Sequence, residues 1–283
     1  MTQTLAALPD AQRLYLRAAT TVMRHPKGKP KLPALSARVL GVQVDAEHLA
    51  AYAELCGFDD VSTLPITFPH VLAGALHLHL LTQRAFPFPL LGLVHVRNQI
   101  RQSRPLTPAE SLDVEVRIDA SREVRQGIEF DMLTEIGVEG ECVWQETSTI
   151  LHRIPGPRGP SSRPAPPPAT LTQYKRLRAP ADIGRRYASV GRDYNPIHLA
   201  PLSAKLFGFK RHIAHGMWSL ARCAALLQEE LASAPTELSV QFLQPLFLPG
   251  SAALKFNPSA DGKLEFALLS SRSDKVHLRG GMS

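Results

Sequence analysis

Two stretches of this 283-residue chain repeat one another in the same order, and that repetition limits the folds open to it. In the first copy, Ala51-Tyr52-Ala53-Glu54-Leu55-Cys56-Gly57 precedes Phe68-Pro69-His70-Val71-Leu72. In the second, Arg186-Tyr187-Ala188-Ser189-Val190-Gly191 precedes Ile213-Ala214-His215-Gly216-Met217. Between the copies, seven prolines fall between Pro155 and Pro168. Proline fixes φ and removes a backbone donor, so this stretch is expected to be an extended linker rather than a helix or interior strand. The chain therefore reads as an N-terminal helical and basic extension (1–39), a first repeat (40–154), a linker (155–170) and a second repeat (171–283). Its length suits two modest domains.

Each paired block leads into a long apolar helical pattern, Val71 to Arg84 and Gly216 to Leu231. Alternation suited to a strand follows, at Leu93 to Val96 and Leu238 to Phe242, then a proline-bearing turn and further β-like runs. These runs are Ser111 to Ile118, Ile128 to Val138 and Glu141 to Leu151 in the first half, and Ala252 to Phe256 and Leu264 to Leu269 in the second. Both halves thus predict an α+β unit in which a central helix is wrapped by an antiparallel sheet.

The densest group of reactive side chains is Asp193-Tyr194-Asn195-Pro196-Ile197-His198. Five residues do not place two side chains on one face of a straight helix, and Pro196 disfavours helix at Asn195. A turn is expected, held by Asn195, in which Asp193 and His198 face a common point. Such a pair suits acid–base chemistry on one water, although an ordinary Asx turn with a surface histidine has the same spacing. Ala214-His215-Gly216-Met217 opens the most apolar helix of the second half, where unpaired N–H groups suit a developing oxyanion. Close packing of Gly216 against the sheet is the other reading of that glycine.

The string from Tyr187 to His198, followed by Ile213 to Met217, closely resembles the MaoC-like dehydratases, which include the R-specific enoyl-CoA hydratases. That resemblance implies a double hot-dog fold. It also implies reversible hydration of trans-2-enoyl thioesters to R-3-hydroxyacyl thioesters. Asp193 and His198 then activate the water, Gly216 is the backbone oxyanion donor, and Asn195 and His215 shape the substrate site. The 17-residue step between His198 and His215 fits the family's paired motifs. Where the first repeat should match, it has Phe58-Asp59-Asp60-Val61-Ser62-Thr63-Leu64-Pro65 with no histidine, and Val71 stands in place of the glycine after His70. One active site per chain is expected, the first repeat serving as its non-catalytic partner. Gly74, with Ala73 and Ala75, is expected to leave room for an acyl chain.

The net charge of +7 favours acidic partners. Lys205, Lys210, Arg211 and Arg222 lie around the motif, and Lys210 and Arg211 are expected to meet the phosphates of CoA, or else those of an acyl carrier protein. Aromatic residues make up 6% of the chain without an interleaved basic–aromatic stripe, which argues against nucleic-acid binding. No apolar run reaches the length of a membrane span. The three cysteines, far apart in sequence, fit neither a disulfide framework nor a metal motif. A cytoplasmic enzyme without metal or redox cofactor is expected, with room for a homodimer of such double units. A hot-dog thioesterase is the alternative, disfavoured by the Asp-x-Asn-Pro-x-His turn.

Overall fold

The computed structural model describes residues 2–24, 30–154, 171–258, 262–271 and 275–283. The proline-rich linker expected at 155–170 and most of the basic run after residue 24 lie outside the described residues. The chain opens with β1 (Gln3–Leu5) and α1 (Ala11–Thr20), capped by the Asp10 carboxylate and extended by a 3-10 turn at Thr21–Met23. The first repeat comprises β2 (Ser36–Val42), α2 (Ala46–Cys56), α3 (Phe68–Thr82), β3 (Leu93–Gln102), β4 (Leu112–Val124), β5 (Gly127–Val138) and β6 (Glu141–Arg153). The second comprises β7 (Gln173–Ala179), α4 (Ile183–Gly191), α5 (Pro196–Leu199), α6 (Pro201–Leu206), α7 (Gly216–Leu227), β8 (Glu237–Phe242), β9 (Gly250–Pro258), β10 (Leu264–Ser270) and β11 (Val276–Met282).

The repetition in sequence is a repetition in topology. One sheet of 11 strands runs β1-β2-β4-β5-β6-β3-β8-β11-β10-β9-β7, so the order in the first repeat is mirrored in the second. β3 and β8 pair antiparallel at the centre, with Asn98 opposite Val240, and join the two sheets into one. Each half wraps a long apolar helix, α3 or α7. In α3 only His70, Gly74 and His79 escape full burial, because the helix is apolar on nearly every face.

The structure adds strands that apolar alternation did not reveal. β7 is polar along Gln173, Tyr174, Lys175, Arg176 and Arg178, as an edge strand tolerates, and β11 carries Gly280 and Gly281 in its middle. β2 straddles residue 40, and β1 pairs with it in parallel, so the segment before residue 40 is part of the sheet. Arg24 donates to the carbonyls of Leu81, Thr82, Gln83 and Phe88, closing the C-terminal end of α3.

Candidate active site

The segment expected to be a turn is a turn as far as Asn195 and then a short helix. Pro196 has the φ that a first helical position needs, and the Asn195 side chain accepts from Ile197 N at 3.3 Å. Asp193 precedes this cap, its Oδ1 accepting from Asn195 N at 3.1 Å. His198 lies in the short helix, and its Nδ1 donates to the Ile213 carbonyl at 2.8 Å. That bond fixes the tautomer and leaves Nε2 as the acceptor.

His215 is the cap residue of α7, and no side chain caps that helix, so its first N–H groups remain open to a ligand. The ring of His215 stacks on His198 with centroids 3.7 Å apart, and its Nε2 donates to the Asp193 carbonyl at 3.0 Å. It sits behind His198, only 2% exposed, and positions both motif residues. A Cβ on Gly216 would stand 3.0 Å from the Phe242 ring, so a side chain there would press on that ring.

Asp193, His198 and His215 offer ligand atoms within 4.8 Å of one another. That spacing suits one metal ion and equally one water. Two of the imidazole nitrogens, His198 Nδ1 and His215 Nε2, are committed to backbone carbonyls. Burial opposes ionisation of Asp193, but the neighbouring His215 and His198 and the bonds from Tyr15 and Asn195 together hold its carboxyl below the usual range. Burial lowers the pKa of His198 against the pull of Asp193, and pushes His215 down to about 3. At neutral pH the site therefore holds a carboxylate beside neutral imidazoles.

The donor to Asp193 that the sequence did not reveal is Tyr15, whose hydroxyl lies 2.7 Å from Oδ1 and comes from α1. Nothing in a short amphipathic helix 178 residues away marks that role. Asp193, Asn195, Arg192 and Tyr15 line a cavity of about 170 Å3, whose far side is formed by the first repeat, including Gly74, Leu78, Leu81 and Met132. A Cβ on Gly74 would meet nothing within 4 Å, so this glycine does leave open space. A larger groove of about 610 Å3 where β3 meets β8 is lined by none of the motif residues. Lys205, Lys210 and Arg211 are exposed, with Arg211 over the Phe247 ring, and none of the three lines the cavity. Arg222, by contrast, is spent inside the protein, donating to the Cys56 carbonyl at 2.7 Å, and is not available to a phosphate.

In the first repeat, Asp60 makes the same turn as Asp193, accepting from Ser62 N at 2.7 Å, but it is exposed and has no histidine to face. The repeat also starts its helix earlier, at Phe68 with Pro69 in the first turn, so His70 lies inside α3 rather than at its cap.

Residues 161–260 match the MaoC like domain. Over 277 residues the chain is 33% identical to 3-hydroxyacyl-thioester dehydratase X of Mycobacterium tuberculosis, spanning 95% of this chain and 96% of that one. The chain belongs to the MaoC-like dehydratases. Membership makes it an enzyme of the hydro-lyase class. A crystal structure of HtdX from Mycobacterium tuberculosis superposes with a TM-score of 0.76, covering 87% of this chain and 98% of that one at 33% identity. The fold is shared with a MaoC-like dehydratase from Phytophthora capsici (TM-score 0.74, 19% identity, 89% and 95% covered). It is shared more loosely with an acyl-ACP thioesterase from Bacteroides thetaiotaomicron (TM-score 0.57, 13% identity, 87% and 96% covered). The expected double hot dog is therefore the architecture found. The described helices include none long and apolar enough to cross a membrane.

Proposed function

We propose that this dehydratase reversibly hydrates trans-2-enoyl thioesters to R-3-hydroxyacyl thioesters, with Asp193 and His198 activating one water. The observation that carries the reading is the convergence of the Asp193 carboxylate and the His198 ring beside the uncapped start of α7, next to the cavity. The water donates one hydrogen to Asp193 and the other to His198 Nε2. Its oxygen forms the new bond to C3 as His198 takes a proton, and that proton is returned to C2. Negative charge gathering on the thioester oxygen is met by the Gly216 N–H and the positive end of α7. The acyl chain extends into the cavity past Gly74. Lys210 and Arg211, exposed outside the site, meet the phosphates of CoA or of a carrier-bound phosphopantetheine.

The name of the Mycobacterium tuberculosis relative supports a thioester substrate. Incubation with crotonyl-CoA and a longer enoyl-CoA tests the reading by loss of the conjugated thioester absorbance. Wild type is expected to turn over, Asp193→Asn and His198→Ala to lose ~10²-fold or more in kcat, and the alcohol to be the R enantiomer. Release of free thiol without hydration would replace this reading with a thioesterase, and an S product would overturn the stereochemistry.

A further inference from the structure

One wall of the cavity belongs to the first repeat and holds three histidines, His70, His77 and His95. Behind them lies Glu146, whose side chain is fully buried. His70 Nδ1 donates to both carboxylate oxygens of Glu146, at 2.8 and 2.9 Å. Asn98 donates to the same carboxylate and, at 3.1 Å, to Ser148, which also lines the cavity. Burial raises the cost of ionising Glu146, yet His70 beside it brings its pKa down to about 2. Burial likewise lowers His70, but Glu146 outweighs it and raises its pKa, which favours the imidazolium form beside the carboxylate. A buried ion pair of this kind adds little to stability over an apolar replacement, which directs attention to what its free end does.

The free ends are complementary. In its imidazolium form His70 carries a hydrogen on Nε2, its side chain is 18% exposed, and that nitrogen has no acceptor among the described residues. His95 is neutral, with burial pushing it down to about 4 against the pull of Glu146 and the Arg97 backbone. Its Nε2 is buried without a partner, and in the tautomer protonated at Nδ1 it presents a bare lone pair. The two rings are nearly parallel, with centroids 6.1 Å apart. His77 differs, because its Nε2 is already paired with Thr134 at 2.8 Å. An alkyl chain lying along this wall leaves both a donor and an acceptor unpaired, at a cost. A hydroxyl satisfies both, since it accepts from one nitrogen and donates to the other. Both histidines line the same cavity as Asp193.

We propose that the preferred substrates carry a hydroxyl group on the acyl chain beyond C3, held between His70 Nε2 and His95 Nε2, and that these two histidines are specificity residues of the site. The proposal rests on the hydration reading above. It is tested with trans-2-hexenoyl-CoA against its 4-, 5- and 6-hydroxy derivatives, read as the ratio of kcat/KM for each derivative to that of the parent compound. In wild type at least one derivative is expected to exceed the parent by ~10-fold, since a site built to bond a hydroxyl discriminates strongly against its absence. His95→Phe and His70→Phe are expected to bring that ratio to one or below. His95→Gln, which keeps an acceptor oxygen, is expected to retain part of it. Using the ratio cancels any general loss of activity in the variants. Ratios at or below one for all three derivatives in wild type overturn the proposal, as do ratios that both phenylalanine variants leave unchanged. Hydration of hexenoyl-CoA without any preference defeats only the specificity assignment, whereas no hydration of any compound defeats the function beneath it.

Discussion

Asp193 and His198 are useful to a water only in one protonation state each, carboxylate and neutral imidazole. Both are shifted toward that state: Asp193 is held below the usual carboxyl range and His198 below its ordinary 6.5. Acid removes the active forms by protonating either group. The hydration rate, as kcat/KM, is therefore expected to be level from pH 7 to 9 and to fall on the acid side with an inflection below 6.5. Tyr15 helps to hold Asp193 ionised. Its phenol stays protonated, because burial and the neighbouring Asp193 charge raise its pKa well above 10, and it gives Asp193 a hydrogen bond at 2.7 Å. Tyr15→Phe removes a stabiliser of the carboxylate, so its acid limb is expected to move to higher pH and kcat to drop by ~10-fold, the worth of a charge-assisted bond. A pH profile of the two proteins decides this, and a wild-type inflection above 6.5 would contradict a neutral His198. The motif pair was legible in the sequence because Asp193 and His198 are five residues apart with an adjacent asparagine and proline between them, which leave the chain few choices. Tyr15 was not, because its partner is brought to it only by the complete fold.

The helices announced themselves, since α3 and α7 are apolar runs long enough to be distinguished from strands, and their starts differ for reasons that bear on the chemistry. α7 begins at a glycine with no side-chain cap, whereas α3 begins two residues before His70 with Pro69 in its first turn. The glycine helix start proposed as the oxyanion position is thus present in one repeat, and the other has a histidine inside its helix. β7 and β11 were hidden because a polar edge strand and a strand with paired glycines both lack the apolar alternation on which strand reading depends. Gly74 shows what an element's interior costs and gives. A helical glycine is a poor helix former, worth roughly 1 kcal/mol against alanine, and here its missing side chain opens onto the cavity. Gly74→Leu is expected to restore that helix propensity while filling the space. The longest enoyl-CoA accepted should shorten, with crotonyl-CoA turnover little changed; an unaltered chain-length profile would show that the acyl chain runs elsewhere.

The two repeats are expected to unfold as one cooperative body. The sheet is continuous through β3 and β8, and Tyr52 and Tyr187 from the paired helices lie with ring centroids 6.3 Å apart. The Arg222 guanidinium of α7 reaches across to cap α2, and it occupies the space where a side chain on Gly57 would stand. Gly57 also has φ of 73°, which favours glycine on conformational grounds. The active site shares this dependence, since its carboxylate and imidazole come from the second repeat, its cavity wall from the first and its tyrosine from α1. No piece can therefore be lost without exposing a core face. The chain's two tryptophans report on the halves separately: Trp144 is fully buried in the first repeat and Trp218 nearly so in the second. In the single-tryptophan variants Trp144→Phe and Trp218→Phe, urea unfolding followed by fluorescence and by circular dichroism is expected to give superimposable single transitions within each protein. Because each variant differs in stability, the comparison is between the two signals of one protein, not between proteins. A tryptophan signal that moves before or after the loss of secondary structure would mean that one repeat unfolds alone, and the shared sheet would then be a contact between domains rather than a common core.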